Sequence, residues 1–139
     1  MVNEINSIKT DHYLRLIRGS HLLLDRKVSG FFLFQELSDN RIIFVLPYLG
    51  KTLVGTTEVP QSSIDDDLKC TDQERSYLLD AFNKNFSQRI SEKNIVGEFS
   101  GLRSIVASKS QHKKGYFSFA SREAKLEVTD KLLTVYGGK

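Results

Sequence analysis

Short apolar segments closed by turn residues follow one another along almost the whole chain, and one stretch alone carries a clear helical period. That ordering leaves few folds open. Tyr13 to Asp25 carries Leu14, Leu16, Ile17, Leu22, Leu23 and Leu24 around Gly19, and reads as a strand with a bend or bulge at the glycine. Phe31 to Leu37 and Arg41 to Pro47 flank the polar turn Ser38-Asp39-Asn40, the pattern of an antiparallel hairpin. Leu49-Gly50-Lys51 turns the chain again into Thr52 to Val59, which predicts a three-strand meander at the centre of a sheet.

Past Pro60 the character changes. Gln61 to Lys69 is polar and acidic and reads as a loop leading into a helix. Thr71 is placed to cap that helix, and Glu74 three residues later completes a capping box. Tyr77, Leu78, Leu79, Phe82 and Phe86 then fall mostly on one helical face, the face expected to pack on the sheet. Ser91 to Asn94 suggests a further turn of helix. Ile95 to Val106, Tyr116 to Ala120, Arg122 to Val128 and Leu132 to Tyr136 read as extended. Strands in series, not alternating with helices, predict an α+β fold: mainly antiparallel β-sheet with one long and one short helix packed on a face.

A chain of 139 residues suits a single domain over 1–139. Hydrophobic residues at 40% and charged residues at 27% are near the average for globular proteins, which argues against disorder and fibrous repeats. The lone Cys70 excludes an internal disulfide, so a reducing, cytoplasmic setting is the default. No apolar run is long enough for a spanning helix. The net charge of +3 is mild and the bases are scattered, so no nucleic-acid partner is expected, and none of the residues is assigned to a metal. The basic segment around His112-Lys113-Lys114 reads as a solvated loop.

Candidate chemistry rests on cations placed in strand-like sequence. Arg18-Gly19-Ser20-His21 brings together a base, a flexible glycine, a hydroxyl and an imidazole, a set equally at home on a solvated strand face. Gly55-Thr56-Thr57-Glu58 is a tight, hydroxyl-rich turn, suited either to a phosphate or to fixing neighbouring backbone. Arg103 follows an apolar strand and Arg122 lies between two more, where a guanidinium fork can grip a phosphate or carboxylate, or form an ordinary ion pair. Gly137-Gly138-Lys139 after an apolar run permits close approach of a ligand or a following helix. This glycine turn and the unpatterned start at Val2 both look like cuts, so a piece of a larger protein is expected.

Taken in order, these segments resemble the substrate domain of FAD-dependent glycerol-3-phosphate dehydrogenase over most of the chain. Tyr13-Leu14-Arg15-Leu16-Ile17-Arg18-Gly19-Ser20-His21 is similar to that family's arginine-leucine-isoleucine-lysine-glycine-serine-histidine strand. Arg41 to Tyr48 with Val54-Gly55-Thr56-Thr57-Glu58 resembles its next hairpin, and Phe99-Ser100-Gly101-Leu102-Arg103 its tyrosine-serine-glycine-valine-arginine-proline segment. Ser121-Arg122-Glu123 stands where the family shows threonine-arginine-aspartate, and Leu133 to Lys139 is similar to its serine-valine-phenylalanine-glycine-glycine-lysine. Ser104 stands in place of proline, Arg18 in place of lysine and Glu58 in place of aspartate.

The resemblance implies oxidation of sn-glycerol 3-phosphate to dihydroxyacetone phosphate in the parent enzyme, hydride passing from carbon 2 to FAD and electrons onward to membrane quinone. It places the parent at the inner face of the cytoplasmic membrane. It implies Arg122 for the substrate phosphate, Arg103 and Lys139 for the reacting oxygen, and His21 as base or hydrogen-bond partner, with an arginine-polarised water as the competing base. Gly137, Gly138 and Lys139 face the flavin in that reading. No Gly-x-Gly-x-x-Gly strand-to-helix turn occurs, so the FAD-binding domain is expected to be a separate partner and the isolated chain inactive. Two other readings stay open. One is a stand-alone module binding a phosphorylated ligand or polyanion through Arg18, Arg103, Arg122 and Lys139 on one basic face. The other is a related flavoenzyme acting on an amine or amino acid.

Overall fold

The computed structural model describes residues 9–64, 67–108, 123–129 and 132–137. Along them run β1 (His12–Leu24), β2 (Phe32–Glu36), β3 (Arg41–Tyr48), β4 (Lys51–Gly55), β5 (Val59–Gln61), helix α1 (Asp72–Asn85), a 3-10 turn (Glu92–Asn94), β6 (Ile95–Ser108), β7 (Lys125–Thr129) and β8 (Leu132–Tyr136). The first six strands form one sheet in the order β2-β3-β4-β1-β5, with β6 on the other edge of β1, and β7 pairs β8 separately. Every pairing is antiparallel. Among the described residues the architecture is thus an antiparallel sheet with one α-helix, as the α+β reading expects.

The long strand β1 organises the sheet. Its 13 residues pair along their whole length with β6, and on the opposite edge first with β5 and then with β4. The meander β2-β3-β4 forms as expected but lies to one side, so the centre of the sheet is β1. Period-two alternation sorts the side chains. Leu22 and Leu24 of β1, Ile43 and Val45 of β3 and Val54 of β4 share the face that meets Leu78, Leu79, Ala81 and Phe82 of α1. Cys70 is buried in the same cluster, where burial pushes its thiol up and keeps it inert. No described helix is long and apolar enough to cross a membrane.

Two expected features take a different form, for one physical reason. Gly19 lies in an unbroken register with Gly101, and the shift in the β1–β6 pairing comes only at Leu23/Leu24. The irregularity sits across from Gly19 instead. His21 faces Gly55 and Arg18 faces Val59, so Thr56, Thr57 and Glu58 span what Gly19 and Ser20 span on β1. An extra residue opposite a regular strand is a bulge, and it splits the expected Thr52 to Val59 strand into β4 and β5. The short helix expected near Ser91 is a three-residue 3-10 turn with no buried residue. The extended segment expected at Tyr116 to Ala120 lies outside the described residues.

The helix start follows the sequence reading. Thr71 is extended (φ −81°, ψ 161°), its hydroxyl accepts from the Glu74 amide at 3.3 Å, and the Glu74 carboxylate accepts from the Thr71 amide at 3.0 Å. Thr71→Ala removes one half of this box, and we expect it to lower unfolding stability by about 1 kcal/mol. Urea unfolding measures this, and an unchanged midpoint would place the helix start under other control.

Candidate functional site

Odd-numbered residues of β1 around Gly19 and His21, and of β6 from Phe99 to Arg103, point away from α1. Gly19, Gly55 and Gly101 form a floor without side chains, and His21, Phe44, Phe99 and Arg103 stand around it. All of these but Gly55 line a cleft of about 430 Å³, which Thr56 and Glu58 also border. The glycines do different things. A Cβ on Gly19 would lie 2.4 Å from Nη2 and 2.8 Å from Cζ of Arg103, so the guanidinium rests directly on the backbone there. A Cβ on Gly55 would lie 2.4 Å from Cδ2 of His21, so the imidazole occupies that space. Over Gly101 none of the described residues beyond its chain neighbours lies within 4 Å of a built Cβ, and the floor they form is open there.

Aromatic contacts fix His21. Its ring stacks on Phe99 at 4.7 Å between centroids and 11° between planes, and meets Phe44 at 5.7 Å in a tilted contact. These arrangements suit the ring quadrupoles and leave the imidazole little freedom to rotate. Polar contacts fix Arg103. It donates to the Thr56 hydroxyl at 2.8 Å and to the Thr57 carbonyl at 3.4 Å, and its Nη1 lies 3.5 Å from the Glu58 carboxylate. The bulge between β4 and β5 is therefore the holder of the arginine.

A second network anchors the bulge from the helix side. Ser20 and Thr57 bond reciprocally: the Ser20 amide donates to the Thr57 hydroxyl at 2.8 Å and the Thr57 amide to the Ser20 carbonyl at 3.3 Å. Both hydroxyls donate to Glu74, at 2.8 Å from Ser20 and 2.6 Å from Thr57, and Arg18 adds an ion pair at 2.9 Å. Burial pushes the Glu74 carboxyl up, but hydrogen bonds from Thr57, the Thr71 backbone, Ser20 and the Thr71 hydroxyl outweigh it and hold the group down at about 2. One carboxylate thus caps α1 and ties the helix to the loop that aims Arg103.

Searched against known proteins, the sequence is 29% identical to D-erythritol 1-phosphate dehydrogenase of Brucella abortus, over 100% of this chain and 28% of that protein. It is 31% identical to aerobic glycerol-3-phosphate dehydrogenase of Escherichia coli, over 91% of this chain and 26% of that protein. Among solved structures, glycerol-3-phosphate dehydrogenase from Bacillus halodurans complexed with FAD superposes with a TM-score of 0.69 at 31% identity, over 76% of this chain and 22% of that one. The chain is homologous to part of the FAD-dependent glycerol-3-phosphate dehydrogenases. It spans about a quarter of the length of the curated relatives it matches, 28% and 26% for the two named. A scan against descriptions of whole protein families finds no match.

Within this segment, the expected site residues divide into those that meet and those that do not. His21 and Arg103 line one cleft. Gly137, at φ +69°, follows β8 and lies against β6 beside Val106 and the Ser104 carbonyl, next to the Arg103 position. A Cβ there would stand 2.6 Å from Val106, so among the described residues the close approach is to the chain itself. Arg122, Gly138 and Lys139 lie outside the described residues. Arg18 does not join Arg103: it points to the helix face, paired with Glu74 and Gln61, while Arg103 occupies the opposite face. The single basic face imagined for a polyanion-binding module loses Arg18 for that reason. Phe44 and Phe99 were not anticipated as partners of His21, although Phe44 lies between the buried Ile43 and Val45, which places it opposite the core. Of the two roles open to the hydroxyl-rich turn, Thr57 takes the backbone-fixing one.

Proposed function

We propose that this chain forms the substrate-facing part of a flavin-dependent dehydrogenase acting on a small phosphorylated polyol, with sn-glycerol 3-phosphate as the substrate and dihydroxyacetone phosphate as the product. One observation supports it above the others: an imidazole and a guanidinium, each seated over a glycine, border a cleft whose floor is open at Gly101. The matched relatives named as dehydrogenases of glycerol 3-phosphate and erythritol 1-phosphate agree with that substrate class.

The described residues offer room for the reacting end of a small alcohol. They carry no glycine-rich strand-to-helix turn for a dinucleotide, so the nucleotide part of FAD fits a separate domain. FAD, when bound, takes the hydride from carbon 2 and passes electrons on, in this reading to membrane quinone, with the parent protein peripheral on the inner face of the cytoplasmic membrane. His21, whose ring borders the cleft, accepts the hydroxyl proton as general base. Arg103 stabilises the negative charge that gathers on the same oxygen as hydride leaves. Arg122 grips the phosphate, and Gly137, Gly138 and Lys139 complete the flavin side.

Dye-coupled oxidation of glycerol 3-phosphate, erythritol phosphate and unphosphorylated glycerol, measured on the flavin-loaded protein that contains this chain, tests the reading. Turnover with the phosphorylated polyols alone is expected. Preference for an amine or an amino acid would overturn it.

A further inference from the structure

We propose that Glu58 is the positioning residue that aims Arg103 at the substrate's reacting oxygen, an assignment that rests on the function proposed above. The pair is nearly sealed: the Arg103 and Glu58 side chains are 10% and 7% exposed and approach to 3.5 Å. A buried arginine alone would bring an uncompensated charge, which is costly, and the carboxylate offsets it. Glu58 is itself held. Its carbonyl accepts from Nη2 of Arg41 at 3.3 Å, and that guanidinium lies 3.6 Å from Asp39 and over the Tyr77 ring at 5.4 Å from the centroid.

Several constraints then act on one guanidinium. The Gly19 floor fixes its height, Thr56 holds one nitrogen, and the Glu58 carboxylate and the Thr57 carbonyl hold the other. A planar fork locked in this way is a directional donor. Because the carboxylate already balances its charge, it is a weak anchor for a dianion. Glu58 therefore directs Arg103 to the alcohol end and leaves the phosphate to other cations.

Glu58→Gln and Glu58→Asp in the flavin-loaded protein separate aim from architecture. For Glu58→Gln we expect kcat to fall roughly tenfold with KM within about threefold of the parent, because the lost term is one of orientation. Glu58→Asp is expected to recover most of kcat. Unchanged kcat in the Gln variant, or an Asp variant no better than Gln, overturns the assignment. Should Glu58→Gln fail to fold, Thr56→Val, which removes the other constraint, carries the same test with the same expected split.

If the protein proves not to oxidise polyol phosphates, a second measurement on the flavin-free protein that contains this chain still decides the role of Glu58. Inorganic phosphate is titrated while the Arg103 Nε–H signal is followed by NMR. Several-fold tighter phosphate binding at Arg103 in Glu58→Gln supports the pairing, and identical binding with an identical signal overturns it.

Discussion

Glu74→Ala is expected to destabilise the fold by about 3–5 kcal/mol, the range for removing one member of a buried charged pair. The carboxylate is 3% exposed and takes hydrogen bonds from the Ser20 and Thr57 hydroxyls, Arg18, and the Thr71 amide and hydroxyl. Truncation leaves the Ser20 and Thr57 hydroxyls and the largely covered Arg18 guanidinium without this acceptor in the interior, each carrying its own desolvation cost, while Thr71 is exposed and can turn to water. The same group makes the fold acid-sensitive. Its carboxyl falls from 4.5 in the unfolded chain to about 2 in the folded one, so ionised Glu74 favours the folded state. That contribution, about 3 kcal/mol at 1.36 kcal/mol per pKa unit, is complete above pH 4.5 and is lost as pH falls towards 2. Urea midpoints of the parent should therefore drop steeply over this window, while those of Glu74→Gln change less. Parallel acid profiles for the two proteins would show that the stabilising charge lies elsewhere.

Glu74 also shows how far sequence reasoning reaches. Thr71 and Glu74 were legible as a capping box because both partners lie within one helical turn, and the helix, the β2-β3-β4 meander and β8 follow from equally local patterns. The ties from Glu74 to Ser20 and Thr57 were not legible, since they cross 54 and 17 positions of sequence and depend on which strand lies beside which. The same limit explains the bulge. A glycine inside an apolar strand signals that something needs space, but sequence cannot say whether the glycine's own backbone bends or a neighbour's side chain fills the gap. At Gly19 the answer is the guanidinium of Arg103, supplied by β6, more than 80 positions away. The family resemblance singled out His21 and Arg103 as site candidates, and the two line one cleft. The parity that puts them on one face and Arg18 on the other follows from β1 being flat and continuous through Gly19.

Gly19→Ala and Gly55→Ala should each cost about 100-fold in kcat while changing stability little, the combination expected when a reacting group is displaced by about an ångström. The new methyl at position 19 would stand 2.4 Å from Arg103 Nη2 and 2.7 Å from the Thr56 hydroxyl, and at position 55 it would stand 2.4 Å from the His21 ring. In both cases the obstructing atoms belong to side chains, so the site yields before the sheet does. The guanidinium lifts from the floor and parts from Thr56, or the imidazole slides off Phe99. Gly101→Ala supplies the contrast. Among the described residues beyond its chain neighbours nothing lies within 4 Å of its Cβ, so Arg103 and His21 keep their places and a loss is expected to come from the ligand's own volume. A rise in KM for glycerol 3-phosphate with near-normal kcat at position 101, set against lost kcat at 19 and 55, would map the alcohol onto the open floor beside both groups. Equal and small effects at all three positions would mean that the reaction takes place away from this face of the sheet.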